Sequence, residues 1–98
     1  MAFSLSSLAQ TLTGAFNKGD GSVIGIDIGA SSAKIVQLRG AHGAAVLETY
    51  GEIALGPYAN EPIGKAVKLT PEKTAEALLD LMREANVTAK TGGISIPF

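Results

Sequence analysis

The sequence predicts a mixed α/β domain: a meander of three antiparallel strands, then a helix that crosses back to a fourth strand. Three observations predict it. Short β-branched runs alternate with Gly-rich turns from Val23 to Leu55. One amphipathic helix, opened by Thr70-Pro71-Glu72, follows a connection punctuated by Pro and Gly. A further β-branched run, Ile94-Ser95-Ile96, comes after that helix, giving the order β-β-β-α-β.

Composition bounds the class. Ninety-eight residues make one small domain, and 46% hydrophobic with 17% charged residues excludes a disordered chain. Eight Lys+Arg against nine Asp+Glu give a net charge of −1, so no basic stripe supports phosphate-neutralising nucleic-acid binding. Without cysteine these residues hold no disulfide framework, thiolate metal site or Cys nucleophile, and one His is too little for a dedicated zinc site. No apolar run approaches the roughly 20 residues that span a bilayer. The N-terminus lacks the basic region and continuous apolar core of a secretory signal, so a soluble, cytoplasmic protein is expected.

Residues 1–21 differ in composition from the rest and form a leader; 22–98 form the folded part. In the leader Phe3, Leu5, Leu8, Leu12, Ala15 and Phe16 recur at helical steps, and Asn17 to Ser22 breaks the pattern. Two readings stand: an arm or helix docked on its own domain, or a helix on a membrane surface or in a partner's groove. The missing Lys/Arg rim disfavours the membrane.

Val23 to Ile28 is β-branched and too short for a helix, so it is a buried strand. Period two places Ile24, Ile26 and Ile28 on one face and Val23, Gly25 and Asp27 on the other. Gly29-Ala30-Ser31-Ser32 turns the chain into a second strand, Ala33 to Arg39. Gly40 to Gly43 turns it again into a third, Ala44 to Leu55, where Gly51 suggests a bulge or bend. In the connection from Gly56 to Leu69, Ile63, Val67 and Leu69 are expected against the sheet. The helix begins with Thr70 as cap, Pro71 in the first turn and Glu72 complementing the dipole. Its apolar stripe is Ala75, Leu78, Leu79, Met82 and Ala85, widened by Leu81. Lys73, Glu76, Asp80, Arg83 and Glu84 face water, and Asn86 closes the helix.

Chemistry concentrates in Gly25-Ile26-Asp27-Ile28-Gly29-Ala30-Ser31-Ser32-Ala33-Lys34. A strand delivers a carboxylate, and small turn residues let successive N–H groups approach an anion. Ser31 and Ser32 add hydroxyls, and Lys34 adds a positive charge. Asp27 suits Mg²⁺ held through water, since that ion dehydrates reluctantly and prefers few carboxylates plus phosphates. The pattern matches neither the P-loop, which leads into a helix, nor the dinucleotide fingerprint, because Ile35 and Val36 continue as strand. A plain hairpin with small turn residues remains the competing reading. His42, in a turn without a companion carboxylate, reads as a solvated surface His, and Tyr50, Tyr58 and Phe98 read as packing.

Val23 to Leu38, VIGIDIGASSAKIVQL, resembles the first phosphate-binding hairpin of the actin/Hsp70/sugar-kinase superfamily. Within it the chain most resembles the PilM family of type IV pilus assembly, with the FtsA cell-division family a close relative. The strand containing Glu52-Ile53-Ala54, the helix Pro71 to Ala85 and the turn into Gly93-Ile94-Ser95-Ile96-Pro97 follow in the order PilM-like proteins use, so the similarity covers Ser22 to Phe98. The resemblance implies the N-terminal part of an actin-like (ribonuclease H-like) ATP-binding domain. Asp27 would organise Mg²⁺ through water; Gly29, Ala30, Ser31 and Ser32 would wrap the β- and γ-phosphates of ATP, with Lys34 facing them. Ala30 stands where relatives often carry Ser or Thr, which implies weakened nucleotide binding.

The resemblance also implies that the second phosphate hairpin, the adenosine pocket and the water-positioning acid lie further along the chain. The expectation is therefore a truncated, two-lobed protein whose first 98 residues hold no catalytic residue and show no turnover alone. It implies a cytoplasmic location at the inner face of the membrane, docking of a PilN-type inner-membrane protein through its cytoplasmic segment, and leaves homo-oligomer formation open. The alternatives are an ATPase or sugar-kinase-type enzyme of the same superfamily, a nucleotide-free scaffold, or an FtsA-like protein.

Overall fold

A computed structural model describes residues 21–41 and 43–95 of the chain. The leader's main part, His42 and residues 96–98, including Phe98, lie outside the described residues. Strand β1 (Ser22–Ile28), β2 (Ser32–Ala41), β3 (Ala44–Ala54), helix α1 (Pro71–Glu84) and β4 (Gly92–Ser95) follow in the expected order. The sheet order is β3-β2-β1-β4, with the first three strands antiparallel and β4 parallel to β1. A parallel neighbour requires a crossover, and α1 supplies it.

Alternation along the strands divides the sheet into two faces. Ile24, Ile26, Ala33 and Ile35 form one core with Leu55 and with Ala77, Leu81 and Ala85 on and just after α1. Ile28, Ile53, Tyr58, Val67 and Leu69 pack around it. Val23, Gly25 and Asp27, with Lys34, Val36 and Leu38 as their register partners on β2, occupy the opposite face, which is helix-free among the described residues.

Helix α1 starts and stops as its chemistry dictates. The Thr70 hydroxyl accepts from the Lys73 N–H at 3.2 Å, and Pro71 opens the first turn. At the other end Asn86 adopts φ 56, its N–H donates to the Arg83 carbonyl (3.2 Å), and the Val87 N–H donates to Met82 (3.0 Å). That pair of reversed bonds is a Schellman closure, with Asn in the left-handed position just beyond the cap residue Ala85.

The buried stripe is rotated from the expected one. Ala77, Leu81 and Ala85 are its centre, Leu78 and Met82 flank it, and Ala75 and Leu79 are exposed. The apolar face of α1 is wide enough to sit in more than one rotation, and the close approach of β3 selects one. A Cβ on Gly51 would lie 3.2 Å from Ala85 Cβ and 3.3 Å from Leu81 Cδ1, so the glycine admits the helix. It makes no bulge; the register shift falls at Gln37/Leu38, where Glu48 is the extra residue on β3.

Within the connection a one-turn 3-10 helix, Gly56–Ala59, carries Tyr58 against the core. Its hydroxyl donates to Asp80 Oδ2 at 2.5 Å, so Asp80 is half-buried and bonded to the connection, not simply solvated. Partial burial and this carboxylate push the phenol up to about 12. Val67 and Leu69 pack as expected, but Ile63 is 80% exposed. Its neighbour Gly64, at φ +92, turns the chain outward there. Tyr50 is 70% exposed, not packed, because it lies on the helix-free side of the edge strand β3. Among the described residues no helix is long and apolar enough to cross a membrane.

Candidate functional site

The β1–β2 hairpin places the six residues singled out by sequence within one corner of the sheet. Asp27 and Lys34 are direct cross-strand partners, followed by Ile28 and Ala33, and then the turn. Side chains directly opposite in an antiparallel pair stand about 5 Å apart at Cβ. On its other side Asp27 is level with Ser95 of β4, so it lies on an interior strand near the end of the sheet. It is half-buried, Lys34 is exposed, and both lie on the helix-free face.

The turn is fastened by its carbonyls. The Gly29 N–H donates to the Ser32 carbonyl at 2.8 Å, Leu55 N–H donates to Ser31 (2.9 Å), and Val67 N–H donates to Ala30 (2.9 Å). The end of β3 and the connection thus hold the turn from behind. Among the described residues the N–H groups of Ala30 and Ser31 meet no protein acceptor, and Ala30 is exposed. A Cβ on Gly29 would come within 3.2 Å of the Ser32 carbonyl oxygen. Gly29 therefore permits a close backbone approach that a side chain would crowd; its φ is not in the left-handed region.

Electrostatically the corner is divided. Free amide dipoles and the Lys34 ammonium present positive charge at the rim, and the Asp27 carboxylate stands one residue back. Among the described residues the ion pairs are Arg39–Glu48, Lys73–Glu76 and Arg83–Asp80, so neither Asp27 nor Lys34 is engaged in one. An anion at the turn could take two N–H donors and Lys34 at once. Among the described residues no three His, Asp or Glu side chains gather as a metal cluster. A cation beside Asp27 would thus have one protein carboxylate and complete its shell with water and the anion, which suits Mg²⁺.

One residue with a strong role escaped the sequence reading. Gln37, 4% exposed, accepts from the N–H groups of Thr88 and Ala89 at 2.9 Å each. Its Nε2 donates to Thr88 Oγ1 and Glu48 Oε1 at 3.1 Å each. It ties the α1–β4 connection to β2 and so sets where β4 lies beside Asp27. The available signal was a single amide inside the apolar run Ile35-Val36-Gln37-Leu38, on the Ile35 side by alternation. At the same end of the sheet Glu48 also accepts from the Ser22 hydroxyl, and hydrogen bonding to Ser22 and Gln37 holds its carboxyl below the ordinary 4.5.

No family model matches the chain, and no curated protein matches it. Among solved structures it is similar to the Aquifex aeolicus member of the Ppx/GppA protein family, at 14% identity with a TM-score of 0.44. That alignment covers 80% of this chain and 26% of the other, so the chain spans about a quarter of that structure's length. The fold described above rests on its own strand order and register.

Proposed function

We propose that the β1–β2 hairpin is the first phosphate-binding element of an actin-like ATP-binding protein, of which these 98 residues are the opening portion. The observation that carries the reading is the turn itself: its carbonyls are bonded by the end of β3 and the connection, the Ala30 and Ser31 N–H groups meet no protein acceptor among the described residues, and Asp27 and Lys34 stand opposite each other beside it. In this reading Ala30 and Ser31 N–H, with the Ser31 and Ser32 hydroxyls and Lys34, bind terminal phosphates of ATP. Asp27 orients water around Mg²⁺, which when bound would neutralise phosphate charge. The PilM-like assignment, with docking of a PilN-type inner-membrane segment at the cytoplasmic face of the membrane, rests on the sequence resemblance from Ser22 to Phe98.

A nucleotide-free scaffold is the second reading. Ala30 favours it, because the exposed methyl offers no hydroxyl at the centre of the turn.

Amide spectra of the 98-residue chain titrated with Mg·ATP separate the two. Binding through a half-site should be weak, with Kd on the order of 1 mM, corresponding to about 4 kcal/mol. The shifts should centre on Ala30 and Ser31 and shrink in Asp27→Ala and in Gly29→Val. Unshifted Ala30 and Ser31 amides in saturating Mg·ATP would reject the nucleotide reading and leave the scaffold. In the complete reading frame containing these residues, calorimetry should show both substitutions weakening Mg·ATP.

A further inference from the structure

Among the described residues, the charged side chains of the sheet face opposite α1 fall on one level. Asp27 on β1 is the register partner of Lys34 on β2, and Lys34 is the partner of Glu52 on β3. Alternation gives all three the same face. The next level toward Ser22 is the uncharged row Gly25, Val36 and Tyr50, and β4 contributes no charged residue. Arg39 and Glu48, the remaining charged residues of the strands, meet each other on the side of Gln37.

Lys34 therefore has a carboxylate on each flank, each about 5 Å away at Cβ. Lys34 and Glu52 are both exposed, and among the described residues neither is engaged in an ion pair. One ammonium against two carboxylates leaves the row with a net charge of −1. Glu52 sits two residues before Ala54, the partner of Ser32, so it stands within about 10 Å of the hairpin turn. That is no more than a Debye length of about 10 Å at 0.1 M salt, so its charge is felt by an anion bound there.

Asp27 already has a part in the phosphate reading, toward Mg²⁺, and Glu52 has none. We propose that Glu52 is a specificity-determining residue of this corner, selecting metal-complexed nucleotide over the metal-free form. The inference rests on the phosphate-binding reading of the hairpin. An ionised carboxylate offers a phosphate no donor, so Glu52 acts through charge alone. It attracts the Lys34 ammonium that an anion would use, which opposes both forms of the nucleotide alike. It also repels the anion in proportion to the anion's own charge. Bound Mg²⁺ cancels part of the triphosphate's charge, so this repulsion falls more heavily on ATP without metal.

The amide titration of the 98-residue chain, run with Mg·ATP and with ATP in EDTA, tests this in Glu52→Gln. Glu84→Gln is the control: it makes the same change in net charge at the last residue of α1, on the other side of the sheet. At low salt Glu52→Gln should tighten metal-free ATP about 3–5-fold and Mg·ATP about 2-fold or less, the scale of one exposed charge interaction. Both gains should fade in 0.5 M salt. Glu84→Gln should tighten neither. Equal gains for the two ligands, no gain, a similar gain in Glu84→Gln, or gains that persist in high salt overturn the proposal. In those cases shifts of the Ala30 and Ser31 amides still leave phosphate binding at the turn standing. Amides that shift with neither ligand reject the hairpin reading, and the role of Glu52 falls with it.

Discussion

Replacing Gln37 by Met tests whether the crossover is held to the sheet by hydrogen bonds or by packing alone. Met keeps the length and volume of the side chain and removes its acceptor and donor. Two N–H groups, Thr88 and Ala89, lose an acceptor at 2.9 Å, and the bonds from Nε2 to the Thr88 hydroxyl and to Glu48 Oε1, 3.1 Å each, disappear. Each such bond contributes about 1 kcal/mol net, and the half-buried Ala89 N–H regains water poorly, so the loss should be about 2–3 kcal/mol. Domains of this size are stable by about 5–15 kcal/mol, so the change is a large share. The melting temperature should fall by about 10–20 °C. Urea denaturation followed by circular dichroism gives the direct reading, as a lowered midpoint with unchanged slope. Gln37→Glu keeps the acceptor for both N–H groups but sets a buried second carboxylate against Glu48 Oε1, which the Gln37 amide meets at 3.1 Å, so it should also destabilise at neutral pH and recover as pH falls. A Gln37→Met midpoint indistinguishable from the parent would refute the reasoning and assign the crossover's position to α1 packing alone.

Leu81, at 1% exposure, is the most enclosed large side chain on α1, and Leu81→Ala should cost about 2–5 kcal/mol in the same denaturation. Gly51→Val should destabilise by about 1–3 kcal/mol, since its Cβ already meets Ala85 and Leu81 at 3.2 and 3.3 Å and the branches go further; a neutral result would show that α1 can move away. Tyr58 should resist ionisation until about pH 12 when its phenolate absorbance is followed. Its raised value favours the protonated phenol in the fold, so this contribution is complete below pH 10.0 and is lost as pH rises toward 12. A midpoint near 10.0 would remove the Asp80 hydrogen bond from the account.

Much of the fold was legible because its signals are local. Strand β1 follows from the β-branched run Val23–Ile28, and its two faces follow from period two. The start of α1 follows from Thr70-Pro71-Glu72, and its closure from Asn86. The stripe on α1 was less legible: Leu78, Leu79, Leu81 and Met82 make several rotations equally apolar, and Gly51 decides among them from a distant strand. Ile63 and Tyr50 were misplaced for a related reason. Their apolarity is a local property, whereas Gly64's turn and the edge position of β3 determine their exposure.

For the candidate site, sequence alone determined the residue types: a carboxylate ending a strand, four small turn residues, and Lys34 near the start of the second strand. It could do so because the turn is continuous in the chain. Only the tertiary structure decided the rest. Leu55 and Val67 bond the turn's carbonyls from segments more than twenty residues away, while the Ala30 and Ser31 N–H groups meet no acceptor among the described residues. Gln37 bonds Thr88 and Ala89 and so brings β4 level with Asp27. These are long-range bonds whose partners share no spacing or periodicity, and a hydrogen bond between distant segments exists only once the chain has folded around it.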